Sequence, residues 1–126
     1  MVVDTSALWA VLFNQEFGPW VTDQLQSNSG RLMMSVVNYA ELMILITDRQ
    51  PRRSGEIRDA LEASSIRLVP VTVEEAEIAA AARFRYPLNL GDCFAYALAK
   101  REDCALLTVD RDFRKCDIPV VLPRRR

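Results

Sequence analysis

Four acidic residues of this chain stand in stretches where a carboxylate is unexpected. Asp4 directly follows the apolar residues 1–3, and Asp110 ends the segment ALLTVD. Glu41 lies within the apolar run SVVNYAELMILIT, and Asp92 opens the largely apolar segment DCFAYALAK. Aspartate is unfavourable in strands, and an unpaired buried carboxylate is costly. Each of these positions therefore needs an explanation, and Glu41 in particular needs a partner, either a cation or other polar groups, that its own helix does not supply.

A divalent metal ion would explain all four carboxylates at once. Converging carboxylates repel one another and raise each other's pKa values, and a bound cation removes that penalty. Oxygen ligands favour Mg²⁺ or Mn²⁺ over zinc, and the hydroxyls of Ser6 and Thr108 are placed to orient such ligands. A Mg²⁺ site of this kind supports in-line attack of water on a phosphodiester. The chain contains no histidine, which excludes Ser-His-Asp catalysis and histidine-ligated zinc.

Three of the four carboxylates also have a simpler structural explanation when each is taken alone. Asp4 can cap the first helix, Asp110 can open a turn, and Asp92 can complement the dipole of a helix N-terminus. Glu41 lacks such an explanation, because its helix is predicted to be apolar on nearly all sides and therefore buried.

Strand-like and helix-like segments alternate along the chain. Strands are predicted at 1–3, 31–34, 66–72, 105–110 and 118–122, and helices at 6–14, 19–27, 36–48, 55–63, 73–84 and 92–101, with Ser6 and Ser35 as caps. This order predicts an α/β fold with a five-stranded parallel sheet covered by helices on both faces. Function in such folds gathers beyond the carboxyl ends of the strands, which is where Asp4 and Asp110 stand.

The composition indicates one ordinary globular domain. The chain has 126 residues and a net charge of −1, so residues 1–123 are expected to form one domain, followed by a basic tail at 124–126. No apolar run reaches the roughly 18 residues of a membrane span. Three scattered cysteines indicate a reducing compartment, so we expect a cytoplasmic protein without a membrane association.

The chain resembles the PIN-domain ribonucleases, and among them the VapC toxins of bacterial toxin–antitoxin (VapBC) modules. Four stretches carry the resemblance, in the family's order and spacing along essentially the whole chain: MVVDTSAL at 1–8, SVVNYAEL at 35–42, LNLGDCFAYALAK at 88–100 and LLTVDRDF at 106–113. The resemblance implies a PIN-like three-layer α/β/α sandwich and a Mg²⁺- or Mn²⁺-dependent endoribonuclease.

The resemblance also implies roles for individual residues and partners. Asp4, Glu41 and Asp92 match the first three acidic ligands, and Asp110 matches the fourth, with Asp112 as its rival. The polar positions near the metal correspond to Thr5, Ser6 and Thr108. Apart from the resemblance, Arg83 and Arg85 are the local candidates for phosphate contacts with RNA, and the alternative is that they are solvated charges at a helix end. The expected partners are a transfer RNA or another structured RNA, a VapB-like antitoxin and a second copy of the chain in a homodimer.

Two other functions remain open from the sequence. A catalytically vestigial module that binds an antitoxin or an operator complex would keep the fold without cleaving RNA. A Mg²⁺-dependent phosphatase or phosphotransfer receiver would also place an aspartate after a strand. The receiver pattern requires an acidic pair near the start and a lysine after a late strand, whereas this chain has Asp4 alone and Arg111.

Overall fold

Residues 1–124, the part that this computed structural model describes, form five strands, with two α-helices in each of the first three connections and a 3₁₀ turn in the last. The strands are β1 (Val2–Val3), β2 (Met33–Ser35), β3 (Arg67–Val69), β4 (Leu106–Leu107) and β5 (Val120–Val121). The helices are α1 (Thr5–Leu12), α2 (Gly18–Ser27), α3 (Val36–Arg49), α4 (Ser54–Ala63), α5 (Val73–Arg85) and α6 (Leu90–Arg101), with 3₁₀ turns at Pro51–Arg53 and Arg111–Phe113.

The five strands form one parallel sheet in the order β3-β2-β1-β4-β5. Strand β1 is central, and Val2 lies opposite both Met33 of β2 and Leu106 of β4. This arrangement confirms the predicted α/β fold with a five-stranded parallel sheet. It also places Asp4 at the carboxyl end of the central strand, beside the end of the neighbouring strand β4.

Successive residues along each central strand pack into two separate hydrophobic cores. Val2 and Leu106 pack with α5 and α6, whereas Val3 and Leu107 pack with α1 to α4. All four side chains are fully buried. Because successive strand residues point to opposite faces, two apolar residues in a row bury both faces of the sheet. The helices therefore form a layer on each face, which confirms the predicted three-layer sandwich.

The structure corrects two predicted helix starts. Asp4, and not Ser6, caps α1, because its side chain accepts a hydrogen bond from the backbone N–H of Ala7. Helix α6 begins at Leu90 instead of Asp92, because Asn89 caps it. The predicted cap Ser35 is confirmed, since its hydroxyl accepts from the Val37 N–H. The strands are also shorter than predicted, with two or three residues each.

The composition of α3 predicted a helix that is buried on nearly all sides, and this prediction is wrong. Leu42 and Ile46 are fully buried against the sheet, but Ile44 is 69% exposed and Val36 is 36% exposed. A helix in the outer layer of a three-layer fold buries only the side that faces the sheet.

Of the predicted basic tail at 124–126, only exposed Arg124 falls within the described residues. No helix in residues 1–124 is both long enough and apolar enough to cross a membrane.

Candidate active-site cleft

Three of the four predicted carboxylates line one cleft of about 410 Å³. They are Glu41, Asp92 and Asp110. Asp4 is buried at this cleft, where it is hydrogen-bonded to the lining residue Ser6. The remaining lining residues are Thr5, Trp9, Leu45, Arg49 and Asn89. Residues from α1, α3, α6 and the segment after β4 thus meet at the carboxyl end of the sheet.

Asp4 is held by three hydrogen bonds although it is only 2% exposed. The Ser6 hydroxyl donates to Oδ1 over 2.8 Å, and the Ala7 N–H donates to the same oxygen over 3.1 Å. The Thr108 hydroxyl donates to Oδ2 over 2.9 Å. Burial raises the pKa of Asp4 to about 7, and these hydrogen bonds oppose the rise only in part. The Asp4 carboxylate therefore both caps α1 and belongs to the candidate site.

Glu41 is oriented by two donors on Oε1. The Thr5 hydroxyl lies 2.8 Å away and the Asn38 amide nitrogen 2.9 Å away. The same amide nitrogen also donates to the backbone carbonyl of Gly91 over 3.0 Å, so Asn38 connects α3 to α6. Asn38 is 1% exposed. The sequence analysis missed this residue, although a lone asparagine three residues before a glutamate in an apolar helix was a signal for it.

Gly91 allows α6 to approach Glu41 more closely than any other residue would. A Cβ at this position would lie 2.0 Å from Oε2 of Glu41 and 2.4 Å from Oε1. Glycine is the default residue where a backbone must come this close to another group. The sequence analysis also missed Gly91, because the contact depends on a helix far away in the chain.

Asp92 lies in the first turn of α6 and forms a capping box with Asn89. Its backbone N–H donates to the Asn89 side chain over 2.8 Å, and its Oδ2 accepts from the Asn89 N–H over 3.2 Å. Burial raises the pKa of Asp92 to about 6, and the charges of Asp110, Glu41 and Asp112 add to this rise. The predicted position of Asp92 in the first turn of a helix is therefore confirmed, and the side chain also faces the other carboxylates.

Asp110 and its rival Asp112 differ in their relation to the cleft. Asp110 lines the cleft, and its backbone N–H donates to the Thr108 hydroxyl over 2.9 Å. Asp112 is exposed, does not line the cleft, and donates its N–H to Oδ1 of Asp110 over 2.9 Å. Asp110 is thus the better placed of the two for a ligand role.

The oxygen donors of the cleft suit a hard divalent cation. Within residues 1–124 no lysine or arginine forms an ion pair with any of the four carboxylates. In Glu41, Asp92 and Asp110, one oxygen is fixed by a hydrogen bond, and the other accepts none from the described residues. These features fit Mg²⁺ or Mn²⁺, which prefer oxygen ligands.

The carboxylates are nevertheless separated in this structure. In the described part of the chain, no three Asp, Glu, His or Cys side chains are close enough to hold a metal ion as they stand. The prediction that the four carboxylates hold one or two metal ions therefore stays a prediction.

The two arginines predicted to contact RNA do not line the cleft. Arg85 pairs with Asp117 at 3.8 Å and lies over the ring of Tyr86 at 5.1 Å, and Arg83 is exposed. The basic residue that does line the cleft is Arg49.

The relatives of this chain agree with this architecture. The PIN-domain family model matches residues 1–119. Ribonuclease VapC of Mycolicibacterium smegmatis is 36% identical over 129 residues, covering 96% of this chain and 99% of the relative. Ribonuclease VapC30 of Mycobacterium tuberculosis is also 36% identical, covering 96% and 98% of the two chains.

Two solved structures share the fold along almost the full length. A toxin–antitoxin complex from Klebsiella pneumoniae superposes with a TM-score of 0.81 at 23% identity, covering 99% of this chain and 98% of the other. The Mycobacterium tuberculosis toxin VapC20, described as cleaving the sarcin–ricin loop, gives 0.80 at 22% identity, covering 97% and 98%. This chain therefore belongs to the PIN-domain family, and within that family it is similar to the VapC ribonucleases.

Proposed function

We propose that this protein is a divalent-metal-dependent endoribonuclease that cleaves RNA phosphodiesters as the toxin of a toxin–antitoxin module. The observation that carries the proposal is the meeting of Glu41, Asp92 and Asp110 in one cleft, with Asp4 buried beside them and without a paired cation in the described residues. Near full-length similarity at 36% identity to VapC ribonucleases supports RNA as the substrate class.

Asp4, Glu41, Asp92 and Asp110 would hold Mg²⁺ or Mn²⁺. When bound, the ion supplies polarisation of a phosphoryl oxygen and a lowered pKa for a coordinated water. Fixed ligands matter here, because a ligand that is already oriented does not have to be ordered during the reaction.

Hydroxyl groups of the chain provide that orientation. Ser6 and Thr108 donate to the two oxygens of Asp4, and Thr5 donates to Glu41. Each of these hydrogen bonds fixes the direction in which a carboxylate oxygen points. These contacts support the positioning roles proposed for Thr5, Ser6 and Thr108.

The partners we propose are an RNA, a VapB-like antitoxin and a second copy of the chain, with the cytoplasm as the location. The toxin–antitoxin complex among the structural neighbours supports an antitoxin partner. The identity of the RNA is proposed only as a transfer RNA or another structured RNA.

The test of this function is the Asp4→Asn variant assayed on total RNA with Mg²⁺ and with EDTA. The amide cannot serve as an anionic ligand but has almost the same shape, so cleavage should be lost while the fold persists. Asp59→Asn is the matched control, because Asp59 is exposed on α4 and does not line the cleft. Cleavage by Asp4→Asn at the wild-type rate in Mg²⁺ would disprove the mechanism.

A binding module without catalysis is the second candidate. The toxin–antitoxin complex among the structural neighbours supports it, because binding an antitoxin does not require catalysis. A tight antitoxin complex, combined with no Mg²⁺-dependent cleavage by the purified wild-type protein, would establish this candidate in place of the nuclease.

A further inference from the structure

Arg49 is the only basic residue that lines the acidic cleft within residues 1–124. It lies at the C-terminal end of α3, on the same side of the helix as Glu41 and Leu45, which also line the cleft. Eight residues of α-helix separate Arg49 from Glu41 by about 12 Å along the axis. Arg49 therefore stands at the edge of the cleft, away from the carboxylates.

Two contacts define where the Arg49 side chain lies, and both leave its guanidinium able to bind an anion. Its guanidinium carbon lies over the Trp9 ring, 5.7 Å from the centroid, and the Trp9 ring stacks on Phe13 with centroids 3.8 Å apart. Its Nε lies 3.6 Å from Asp48, in a pair whose two side chains are 62% and 75% exposed. Such an exposed pair is weak, so the guanidinium can bind another anion.

A cation at the edge of this acidic cleft favours the binding of a polyanionic substrate. Four carboxylates carry up to four negative charges, and a single divalent cation would offset only two of them, so the cleft repels a phosphodiester strand. A guanidinium offers a planar pair of donors that suits phosphate oxygens. Arg83 and Arg85 cannot supply this charge inside the cleft, because neither lines it.

We infer that Arg49, supported by the Trp9 ring, binds a phosphate group that flanks the scissile phosphodiester in the RNA strand. This inference rests on the proposed ribonuclease function. Arg49 acts in substrate binding, and it does not take part in the bond-breaking step.

The experiment compares Arg49→Gln and Arg49→Lys with the control Arg58→Gln. Arg58 is a close match for Arg49, because it is 58% exposed and pairs with the adjacent Asp59 at 3.9 Å, but it does not line the cleft. Binding of a single-stranded RNA oligonucleotide is measured in an Asp4→Asn background with Mg²⁺ over a range of salt concentrations. Cleavage kinetics are measured in the otherwise wild-type chain.

Arg49→Gln should weaken RNA binding about tenfold and raise KM to a similar extent, with little change in kcat. It should also reduce the slope of log K against log salt by about 0.7, the contribution of one phosphate contact on a single strand. Arg49→Lys should keep most of the salt dependence of RNA binding, because lysine keeps the positive charge. Arg58→Gln should change neither the affinity nor the slope.

The outcomes separate this inference from the proposed function. If the wild-type chain cleaves RNA while Arg49→Gln matches it in KM, affinity and salt slope, the inference is wrong and the function stands. If RNA binding depends on Arg49 but the wild-type chain never cleaves, the phosphate contact stands and the proposed function fails. A fall in kcat at unchanged KM and slope also overturns the inference, since it would assign Arg49 to another step.

Discussion

Gly91→Ala is expected to disable the cleft while leaving the fold intact. The new Cβ would lie 2.0 Å from Oε2 of Glu41, and real Cβ contacts essentially never fall below 3.0 Å. Either the first turn of α6 or the Glu41 carboxylate must therefore move by about 1 Å. The carboxylate moves more easily, because it is the end of a flexible side chain, whereas α6 is packed in the core.

The size of the effect follows from this displacement. A misplacement of about 1 Å in an active site costs on the order of 10²-fold in rate. We therefore expect RNA cleavage to fall about 100-fold. The free energy of unfolding should change by no more than about 1 kcal/mol, because alanine is favoured over glycine in a helix by up to that amount and offsets the strain.

Gly55→Ala is a matched control within the same chain. Gly55 is the second residue of α4, as Gly91 is the second residue of α6, but a Cβ on Gly55 meets no atom within 4 Å. Cleavage of a defined RNA is measured for both variants in Mg²⁺, and stability is measured by urea unfolding. Gly55→Ala should cleave normally and be slightly more stable than the wild-type chain.

Wild-type cleavage by a folded Gly91→Ala variant would refute the reasoning. It would mean that Glu41 does not need its present position, and that the close approach of α6 serves packing alone. A large loss of stability would likewise show that α6 had moved in place of the carboxylate.

Two further predictions concern the same cleft. Asn38→Ala removes the side chain that donates to Glu41 and to the Gly91 carbonyl. RNA cleavage should fall, and the free energy of unfolding should decrease by about 1–3 kcal/mol. Normal cleavage would show that Thr5 alone orients Glu41. For the metal-free protein, burial raises the pKa of Asp4 to about 7 from an ordinary 3.8, so protonation stabilises the fold. That stabilisation is complete below about pH 4 and is lost as the pH rises through 7, by up to about 4 kcal/mol. Urea unfolding in EDTA should show this loss in the wild-type chain and a smaller loss in Asp4→Asn, in which Asp92, with its pKa raised to about 6, still titrates. Equal profiles would contradict the prediction.

Much of the fold follows from local patterns. The sequence predicted the apolar strands, the helices between them and the cap at Ser35. These features are predictable because strand burial and helix capping depend on neighbouring residues. The exact start of α6 was not readable, since Asn89, Leu90 and Asp92 all suit a first turn. The exposed side of α3 could not be predicted either, because Val36 and Ile44 are apolar like the buried residues of the same helix.

The grouping of the carboxylates was predictable only in outline. Asp4 and Asp110 follow strands, and parallel strands end on the same side of a sheet. That β1 and β4 are neighbours is a matter of sheet order, which brings Thr108 within 2.9 Å of Asp4 across 104 residues. No local signal carries such a pairing, because it depends on which strands pack side by side in the complete fold.

The sequence alone determined the kind of chemistry available to this protein: oxygen ligands, hydroxyl groups and arginines, without a histidine. The tertiary structure alone decided which of these groups meet. The contact of Gly91 with Glu41, the connection of α3 to α6 by Asn38 and the place of Arg49 at the cleft edge are all contacts between separate elements. Helix packing sets the distances between such elements, and those distances cannot be derived from neighbouring residues along the chain.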